Sequence, residues 1–319
     1  MGVRLPPRAP SILKLLLMNR SHRTIELHTS KADFAASFLL VIISAYSLWL
    51  SFAVETFGQQ SATASQSYLG FDLNAYPGES ALPILRKTFS FAGYWLSAPP
   101  GATENTWLGK RPLLLSQKFG FLLLYSGPQS TELKSATQAT SRGAADAATG
   151  VTAAKKEGFP PGAIIFLDIE EGGRLPPKYH AYLKTWVDAL ARAGYRAGVY
   201  CSGMPVNEGQ GVSITTADDI RNNRAKRDLA YFIYNDACPP SPGCVVPPNP
   251  PPPSASGIPY AAVWQFAQSP RRKKFTAHCA VTYNRDGNCY APGDTAHAWF
   301  LDLNSATTPD PSSGRDGAP

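Results

Sequence analysis

Two carboxylates that follow an apolar run are the residues of this sequence best suited to chemistry. The run 164–167 is followed by Asp168 and, two positions later, by Glu170. Side chains alternate between the faces of a strand, so the two carboxylates are predicted to share one face, with Cα atoms roughly 6.6 Å apart. Such a pair can divide into a protonated acid and an ionised partner. The competing interpretation is an Asp that caps the next helix and a Glu in a surface ion pair.

Other strand ends carry chemistry-bearing residues as well. Asp72 ends the first predicted strand and Asp302 lies in the last one. If the strands form a barrel, these ends converge on one mouth, where paired carboxylates and aromatic faces would suit the hydrolysis of a carbohydrate. For each aromatic alone, core packing is the competing interpretation. The predicted ligand contacts are Tyr94, Tyr125, Tyr200, Tyr234, Trp264 and Gln265.

The elements that must position these residues alternate between strands and helices. Strands are predicted at 69–74, 92–96, 120–125, 164–170, 197–201, 229–234, 261–266 and 299–303, and helices at 131–156, 177–193 and 217–227. This alternation predicts parallel βαβ units, and eight strands over this length predict a (β/α)8 TIM-like barrel, an α/β fold. A doubly wound open sheet is the alternative, but no Gly-x-Gly-x-x-Gly follows the first strand.

The N-terminal region predicts export. Residues 1–33 are basic, and residues 34–54 contain no charged side chain. Such a pair of segments is typical of a signal peptide or a single transmembrane anchor, with a buried core helix as the third possibility. Whether the segment is cleaved stays open, as does a start at Met18. The prediction is a linker at 55–67, one globular domain at 68–305 outside the cytoplasm, secreted, periplasmic or membrane-anchored, and a disordered tail at 306–319.

The cysteines agree with an exported domain. Cys238 and Cys244 bracket one short loop, and Cys279 and Cys289 bracket another, which predicts two local disulfides. Cys201 lies in an apolar strand and is predicted to be a buried thiol that packs as a small apolar side chain.

Composition and motifs narrow the function classes. The net charge of +7 suits an anionic wall polymer or membrane surface as well as nucleic acid, but export argues against nucleic acid. The five histidines lack zinc-site spacing, although an acidic cluster is also compatible with a metal. No Gly-x-Ser-x-Gly or Walker motif is present. We therefore expect no cofactor, a cell-wall polysaccharide as ligand, and a monomer.

Five short motifs, taken in order, resemble family 25 glycoside hydrolases, the Chalaropsis-type lysozymes, over about residues 68–305. The motifs are Gly70-Phe71-Asp72, Leu167-Asp168-Ile169-Glu170, Gly194-Tyr195-Arg196-Ala197-Gly198-Val199-Tyr200, Val263-Trp264-Gln265-Phe266 and Leu301-Asp302-Leu303-Asn304. The resemblance implies that Glu170 is the general acid and that Asp168 acts as nucleophile or stabilises the N-acetyl group of the substrate. It also implies that Asp72 and Asp302 line the floor and that the substrate is the muramic acid–glucosamine linkage of peptidoglycan. As the acid, Glu170 would have to hold a proton at working pH.

The second strand departs from that family. Lysozymes of the family carry a Lys-Ala-Thr-Glu-like segment there, whereas this chain has Gly93-Tyr94-Trp95-Leu96-Ser97 and a Pro-rich loop. In this respect the sequence resembles a sister group of exported bacterial glycoside hydrolase-like proteins of unknown function. Two functions follow: a hydrolase of peptidoglycan or a related wall glycan, or a non-catalytic glycan-binding or wall-accessory module that uses the same mouth. A structural periplasmic protein is a third possibility.

Overall fold

The computed structural model describes residues 66–240, 243–279 and 283–315. In these ranges the strands are β1 (Tyr68–Asp72), β2 (Phe91–Trp95), β3 (Gly120–Ser126), β4 (Ile164–Asp168), β5 (Arg196–Ser202), β6 (Val206–Gly209), β7 (Val212–Ile214), β8 (Ala230–Tyr234), β9 (Val263–Ala267) and β10 (Asp302–Ala306). The helices are α1 (Leu82–Arg86), α2 (Arg111–Ser116), α3 (Ala136–Lys156), α4 (Pro177–Arg192), α5 (Thr216–Asn223) and α6 (Lys273–Thr276).

Eight of these strands close into a barrel in the order β1-β10-β9-β8-β5-β4-β3-β2, and β6 and β7 form a separate hairpin. The predicted TIM-like barrel is therefore confirmed. The prediction that all eight barrel strands are parallel is wrong, because β10 runs antiparallel to both of its neighbours, β1 and β9. A parallel return requires a crossover, usually a helix of several turns, whereas α6 in the β9–β10 connection has only four residues. The chain re-enters the barrel from the mouth, which places the first residue of β10 there.

The two longest helices cover neighbouring strands. The Ser135 hydroxyl caps α3 by accepting a hydrogen bond from the Gln138 backbone N–H at 3.2 Å. Gly143 lets α3 approach α4 closely, since a Cβ there would lie 2.4 Å from the Tyr182 carbonyl oxygen. The apolar stripe predicted for α4 is buried, with Tyr179 and Trp186 fully enclosed. This layer contacts β3, through the rings of Tyr125 and Trp186, and also contacts β5.

The lower part of the barrel interior is packed solid. Gly70 and Gly198 face inward, and a Cβ at these positions would lie 2.1 Å from the Phe91 ring and 2.4 Å from the Phe166 ring. Phe166 in turn packs edge-on against Phe232, with ring centroids 6.1 Å apart. Because large rings fill this space, a ligand can enter the barrel only from the mouth, the end at which the parallel strands finish.

Four cysteines form two disulfides, as predicted, but not in the predicted pairs. The bonds join Cys238 to Cys279 and Cys244 to Cys289. The loops after β8 and β9 follow neighbouring strands, so their cysteines meet across the gap between loops rather than within one loop. Spacing along the chain does not distinguish among the three pairings that four cysteines allow. Cys201 is a buried free thiol, as predicted.

The C-terminal segment was predicted to be a disordered tail, and over residues 307–315 this is wrong. Ser312 is fully buried, its hydroxyl accepts the Leu123 N–H at 2.8 Å, and its carbonyl accepts the Ile164 N–H at 2.8 Å. Asp310 accepts the Phe121 N–H at 2.7 Å. The segment therefore closes the strand ends opposite the mouth, a role for which its Ser, Asp and Gly composition gives no periodic pattern.

The predicted N-terminal segments 1–33 and 34–54, and nearly all of the predicted linker, lie outside the described residues. Among the helices that are described, none combines the length and the apolar character needed to cross a bilayer.

Candidate functional site

An open pocket lies at the mouth of the barrel and encloses about 520 Å³, a volume that includes open solvent. Four carboxyl groups contribute to its lining, from β1, from the end of β4 and from the start of β10. Aromatic rings from β2, β5 and β8 form much of the remaining wall. The lining residues are Asp72, Asn74, Trp95, Pro100, Leu124, Asp168, Glu170, Tyr200, Phe232, Gln265, Gln268 and Asp302.

One side of the pocket, here called the Asp72 half, consists of Asp72, Asp302, Gln265 and Asn304. Asp72 and Asp302 are direct cross-strand partners of the antiparallel β1–β10 pair. Asp72 accepts hydrogen bonds from Asn304 Nδ2 at 2.7 Å and Gln265 Nε2 at 3.0 Å. Asp302 accepts the Ser269 N–H at 2.6 Å and a longer contact from the same Gln265 nitrogen at 3.4 Å. This half is a connected network in which each carboxyl group has donors.

Burial governs the protonation of this half. It raises the pKa of Asp72 from 3.8 to about 6, with the Asn304 and Gln265 hydrogen bonds opposing the shift. Burial, followed by repulsion from Asp72, also raises the pKa of Asp302 well above its usual range. Two neighbouring carboxyl groups without a cation between them favour a state in which one of them keeps its proton.

Gln265 connects the network to the wall of the pocket. Its Oε1 accepts hydrogen bonds from the Tyr200 hydroxyl at 2.7 Å and from Gln268 Nε2. Gln268 Nε2 also contacts the Tyr200 oxygen at 2.9 Å. The ring of Tyr200 packs against Phe232 with centroids 4.7 Å apart. The amide and hydroxyl groups of this wall are therefore already engaged with one another.

The opposite side, here called the Asp168 half, consists of Asp168 and Glu170. Asp168 is the last residue of β4, lies beside Tyr200 in the β4–β5 register, and is only 6% exposed. Its Oδ1 is buried and has no hydrogen-bond partner. Burial, then repulsion from Glu170 and Asp72, raises the pKa of Asp168 well above its usual range. A buried polar atom without a partner is uncommon in folded proteins, and this one belongs to a residue that lines an open pocket.

Glu170 follows β4 and lines the same pocket as Asp168, as the strand alternation predicted. It is exposed, and Asp168 is the buried member of the pair. Its backbone carbonyl accepts a contact from the Tyr234 hydroxyl at 3.4 Å. The residues after Glu170 lie against the β6–β7 hairpin. A Cβ on Gly173 would lie 3.2 Å from the side chain of Val206 in this hairpin. The hairpin, which the sequence pattern did not predict, thus packs against the Glu170 loop.

The structure brings most of the predicted site together and separates three aromatics from it. Asp72, Asp168, Glu170, Asp302, Tyr200 and Gln265 line the pocket. Tyr234 does not line it but packs against Tyr200, with ring centroids 5.1 Å apart.

Tyr94, Tyr125 and Trp264 were predicted as ligand contacts, and each points to the outer side of the barrel. The Tyr94 hydroxyl donates a hydrogen bond to the Glu157 carboxylate, just after α3. The centroid of the Tyr125 ring lies 5.0 Å from that of the Trp186 ring in α4. Trp264 donates from Nε1 to the Asn235 carbonyl at 2.9 Å. Each of these residues lies in a predicted strand but points outward. Because side chains alternate, the inward-facing positions are the residues next to them.

Sequence reasoning missed Trp95, Phe232 and Gln268. Trp95 lines the pocket and is oriented by a hydrogen bond from its Nε1 to the Leu73 carbonyl at 3.1 Å. The available signal was Gly93, two residues earlier, where a Cβ would lie 2.5 Å from that of Asp72. A position where crowding inside the barrel allows only glycine identifies the inward face of its strand. Every second residue shares that face, so Gly198 identifies Tyr200 in the same way.

A metal centre finds little support in the described part of the chain. There the four pocket carboxylates are not gathered into a tight ligand cluster, and the group that is so gathered comprises Cys238, His278 and Cys279. Both of these cysteines are held in disulfides, so neither offers a thiolate.

Several known proteins are similar to this chain, although no curated protein matches it. An uncharacterized protein of B. stearothermophilus shares 18% identity over 75% of this chain and 95% of its own, with a TM-score of 0.49. The Tat-secreted protein Rv2525c of Mycobacterium tuberculosis, solved with L-tartrate, shares 16% identity over 77% and 97%, with a TM-score of 0.46. A family 25 glycosyl hydrolase from Bacillus anthracis shares 11% identity over 75% and 88%, with a TM-score of 0.42.

One family model also matches. It is described as the Rv2525c-like, glycoside hydrolase-like domain, and it covers residues 114–235, less than half of the chain. The matched segment runs from α2 to the end of β8 and includes Asp168, Glu170 and Tyr200. The resemblance noted in the sequence is thus confirmed over this segment: residues 114–235 match the Rv2525c-like glycoside hydrolase-like family.

Proposed function

We propose that this protein is an exported glycoside hydrolase that acts on peptidoglycan or a related cell-wall glycan. The observation that carries the proposal is Asp168, a buried carboxyl group with an unpartnered Oδ1, beside the exposed Glu170 in one aromatic-walled pocket. Two carboxyl groups on one face, one buried and one accessible, are the arrangement that glycosidic acid/base chemistry uses. The family match over 114–235 and the two disulfides support the glycan and the export.

In the proposed reaction Glu170 donates its proton to the glycosidic oxygen as the bond between that oxygen and the anomeric carbon breaks. The bonding electron pair leaves with the oxygen. A hydrogen bond from the bound glycan to Oδ1 would favour the ionised form of Asp168 against the effect of burial, and the carboxylate then stabilises the positive charge that develops on the sugar. A water molecule then adds to the anomeric carbon and returns one proton to Glu170. A bound glycan would cover Glu170 and supply the burial that the open pocket lacks.

Around this pair, the Asp72 half serves as a scaffold. Its hydrogen bonds fix Gln265, which fixes the Tyr200 hydroxyl, and Tyr200 faces Asp168 across the β4–β5 register. Trp95 and Phe232 offer ring surface for the apolar face of a sugar. The proposal thus assigns binding to the rings and chemistry to Asp168 and Glu170.

The second candidate is a glycan-binding module without turnover. One observation favours it: Glu170, the proposed acid, is exposed in the open pocket. In this case the same rings and carboxyl groups would hold the glycan without cleaving it.

The test is incubation of the full-length protein with purified peptidoglycan, followed by analysis of the released fragments and by a pull-down on the same material. Glu170→Gln is compared with wild type, and Asp228→Asn, which removes an exposed carboxylate far from the pocket, is the matched control. Fragments from wild type and the control but not from Glu170→Gln would support the hydrolase. Binding by all three without any fragments would favour the module, and neither binding nor fragments would contradict both functions.

A further inference from the structure

The lining of the pocket carries acidic side chains and no basic ones. Of the twelve lining residues, four are acidic, and none is Lys, Arg or His. Arg272 is the cation that acts on Asp302, but its guanidinium pairs with the fully buried Asp236 and lies over the Tyr234 ring, 5.2 Å from its centroid. This arginine is therefore already neutralised. The imbalance is local, because the chain as a whole carries a net charge of +7.

The donors of the pocket are also committed. The Gln265 and Asn304 amide nitrogens serve Asp72, the Ser269 N–H serves Asp302, and the Tyr200 hydroxyl serves Gln265. Among the described residues no donor bonds to the Asp168 side chain, and its Oδ1 is buried without a partner. A ligand that completes the pocket must therefore bring a donor to this oxygen, since an unsatisfied buried carboxylate is costly.

A neutral hydroxyl and an ammonium group would both satisfy the oxygen, but their effects on the other carboxyl groups differ. Glu170 and Asp72 repel Asp168, and Asp72 also repels Asp302. A hydroxyl leaves that repulsion intact. An ammonium group offers three donors and one positive charge, so it satisfies Asp168 and lowers the repulsion in one step. The Trp95, Tyr200 and Phe232 rings would add to the attraction of a cation.

A bare metal cation fits this pocket less well. Hard cations such as Ca²⁺ take six to eight oxygen ligands at close range. In the described ranges the four carboxyl groups do not form a ligand cluster of that kind. Aromatic walls, by contrast, suit the ring of a sugar, so the cation is expected as a substituent on a glycan.

We propose that the pocket selects a glycan that carries a free amine, that is, a de-N-acetylated hexosamine unit, with the ammonium group hydrogen-bonded to Asp168 Oδ1. This inference rests on the proposed function for the glycan and adds the substituent.

The test measures binding of two oligosaccharides that differ in one respect: chitosan tetraose, with free amines, and its fully N-acetylated counterpart. Titration of the full-length protein at pH 7 and low salt should show tighter binding of the amine form by about 10-fold or more, weakening as salt increases. Asp168→Asn should abolish this preference, whereas Asp228→Asn, which also removes one negative charge, should keep it.

The outcomes separate this inference from the proposed function. Equal or tighter binding of the N-acetylated form, or a preference that survives in Asp168→Asn, would overturn the amine inference while leaving a glycan site in place. Absence of binding for both forms, together with no release of fragments from peptidoglycan, would contradict the proposed function as well. Thermal denaturation of Asp168→Asn, carried out in parallel, shows whether the variant is folded.

Discussion

The two halves of the pocket treat their carboxyl groups in opposite ways. In the Asp72 half, backbone and side-chain donors surround Asp72 and Asp302 at 2.6–3.4 Å. In the Asp168 half, Asp168 is as deeply buried as Asp72, at 6% exposure for each, yet its Oδ1 has no partner. Equal burial with unequal hydrogen bonding indicates that the protein itself satisfies the Asp72 carboxyl group, whereas a ligand is expected to satisfy that of Asp168.

This difference separates stability from function within a single pocket. The Asp72 network joins β1, β9 and β10, so its loss would loosen the barrel where the antiparallel strand closes it. In the described part of the chain the Asp168 side chain accepts no hydrogen bond, and burial of its Oδ1 without a partner is unfavourable for folding. A group retained at a cost to stability is expected to serve binding or chemistry.

The largest expected effect is on turnover. Asp168→Asn keeps the shape of the side chain but removes the charge that stabilises the transition state, and we expect peptidoglycan hydrolysis to fall by about 100- to 1,000-fold. Initial rates of fragment release measure this loss, with Asp228→Asn as the control. Turnover within 3-fold of wild type would remove Asp168 from the mechanism.

The next effect is on stability, for which Asp72 should matter more than Asp168. Asp72→Ala leaves the fully buried Asn304 amide without its acceptor and opens a cavity, so we expect the free energy of unfolding to fall by about 2–4 kcal/mol. In Asp168→Ala no hydrogen-bond donor loses its acceptor, so the free energy of unfolding of this variant should stay within about 1 kcal/mol of wild type at pH 8. Urea denaturation measures both, and equal losses in the two variants would erase the distinction between the halves.

The pH dependence of stability sharpens the comparison. Because burial raises the pKa of Asp72 from 3.8 to about 6, the native state binds more protons than the unfolded state between these values. The contribution of Asp72 is therefore fully present below pH 4 and is lost as the pH rises through 6, by up to about 3 kcal/mol. Urea midpoints from pH 4 to 7 should show a shallower decline in Asp72→Asn than in wild type. A parallel profile in the two proteins would contradict the assignment.

The smallest effect distinguishes the inward face of β2 from the outward one. Trp95→Phe reduces the ring surface of the pocket, and we expect several-fold weaker binding of wall glycan, consistent with the contribution of a single aromatic contact. Tyr94→Phe removes a hydroxyl that contacts Glu157 outside the pocket, so binding should be unchanged. Pull-down on peptidoglycan at graded protein concentrations measures both variants. Weaker binding by Tyr94→Phe alone would reverse the assignment of faces.

Parts of this architecture were predictable from the sequence, for physical reasons. The alternation of strand side chains placed Asp168 and Glu170 on one face, and amphipathic spacing defined α4. The same alternation, applied from the wrong starting residue, selected Tyr94 and Tyr125 in place of inward-facing neighbours. Packing inside the barrel decides which alternate residues of a strand face inward, and Gly93 is the residue of β2 that indicates this face.

Other features depend on contacts between segments far apart in the chain. The pairing of Cys238 with Cys279 depends on loops that meet only in the folded barrel. The direction of β10 depends on a β9–β10 connection whose described residues form only one four-residue helix, and the order of residues 307–315 depends on free backbone groups at the ends of β3 and β4. None of these leaves a periodic pattern in the sequence.

The most direct test of the account is a crystal structure of Glu170→Gln, in which turnover is blocked, with a bound wall-glycan fragment. The account predicts a sugar ring against Trp95 and Tyr200, with a hydroxyl or amine of the sugar about 3 Å from Asp168 Oδ1 and the Asp72 network unchanged. A fragment bound elsewhere on the protein, or one that contacts Asp72 and Asp302 while Asp168 Oδ1 stays unpartnered, would contradict it.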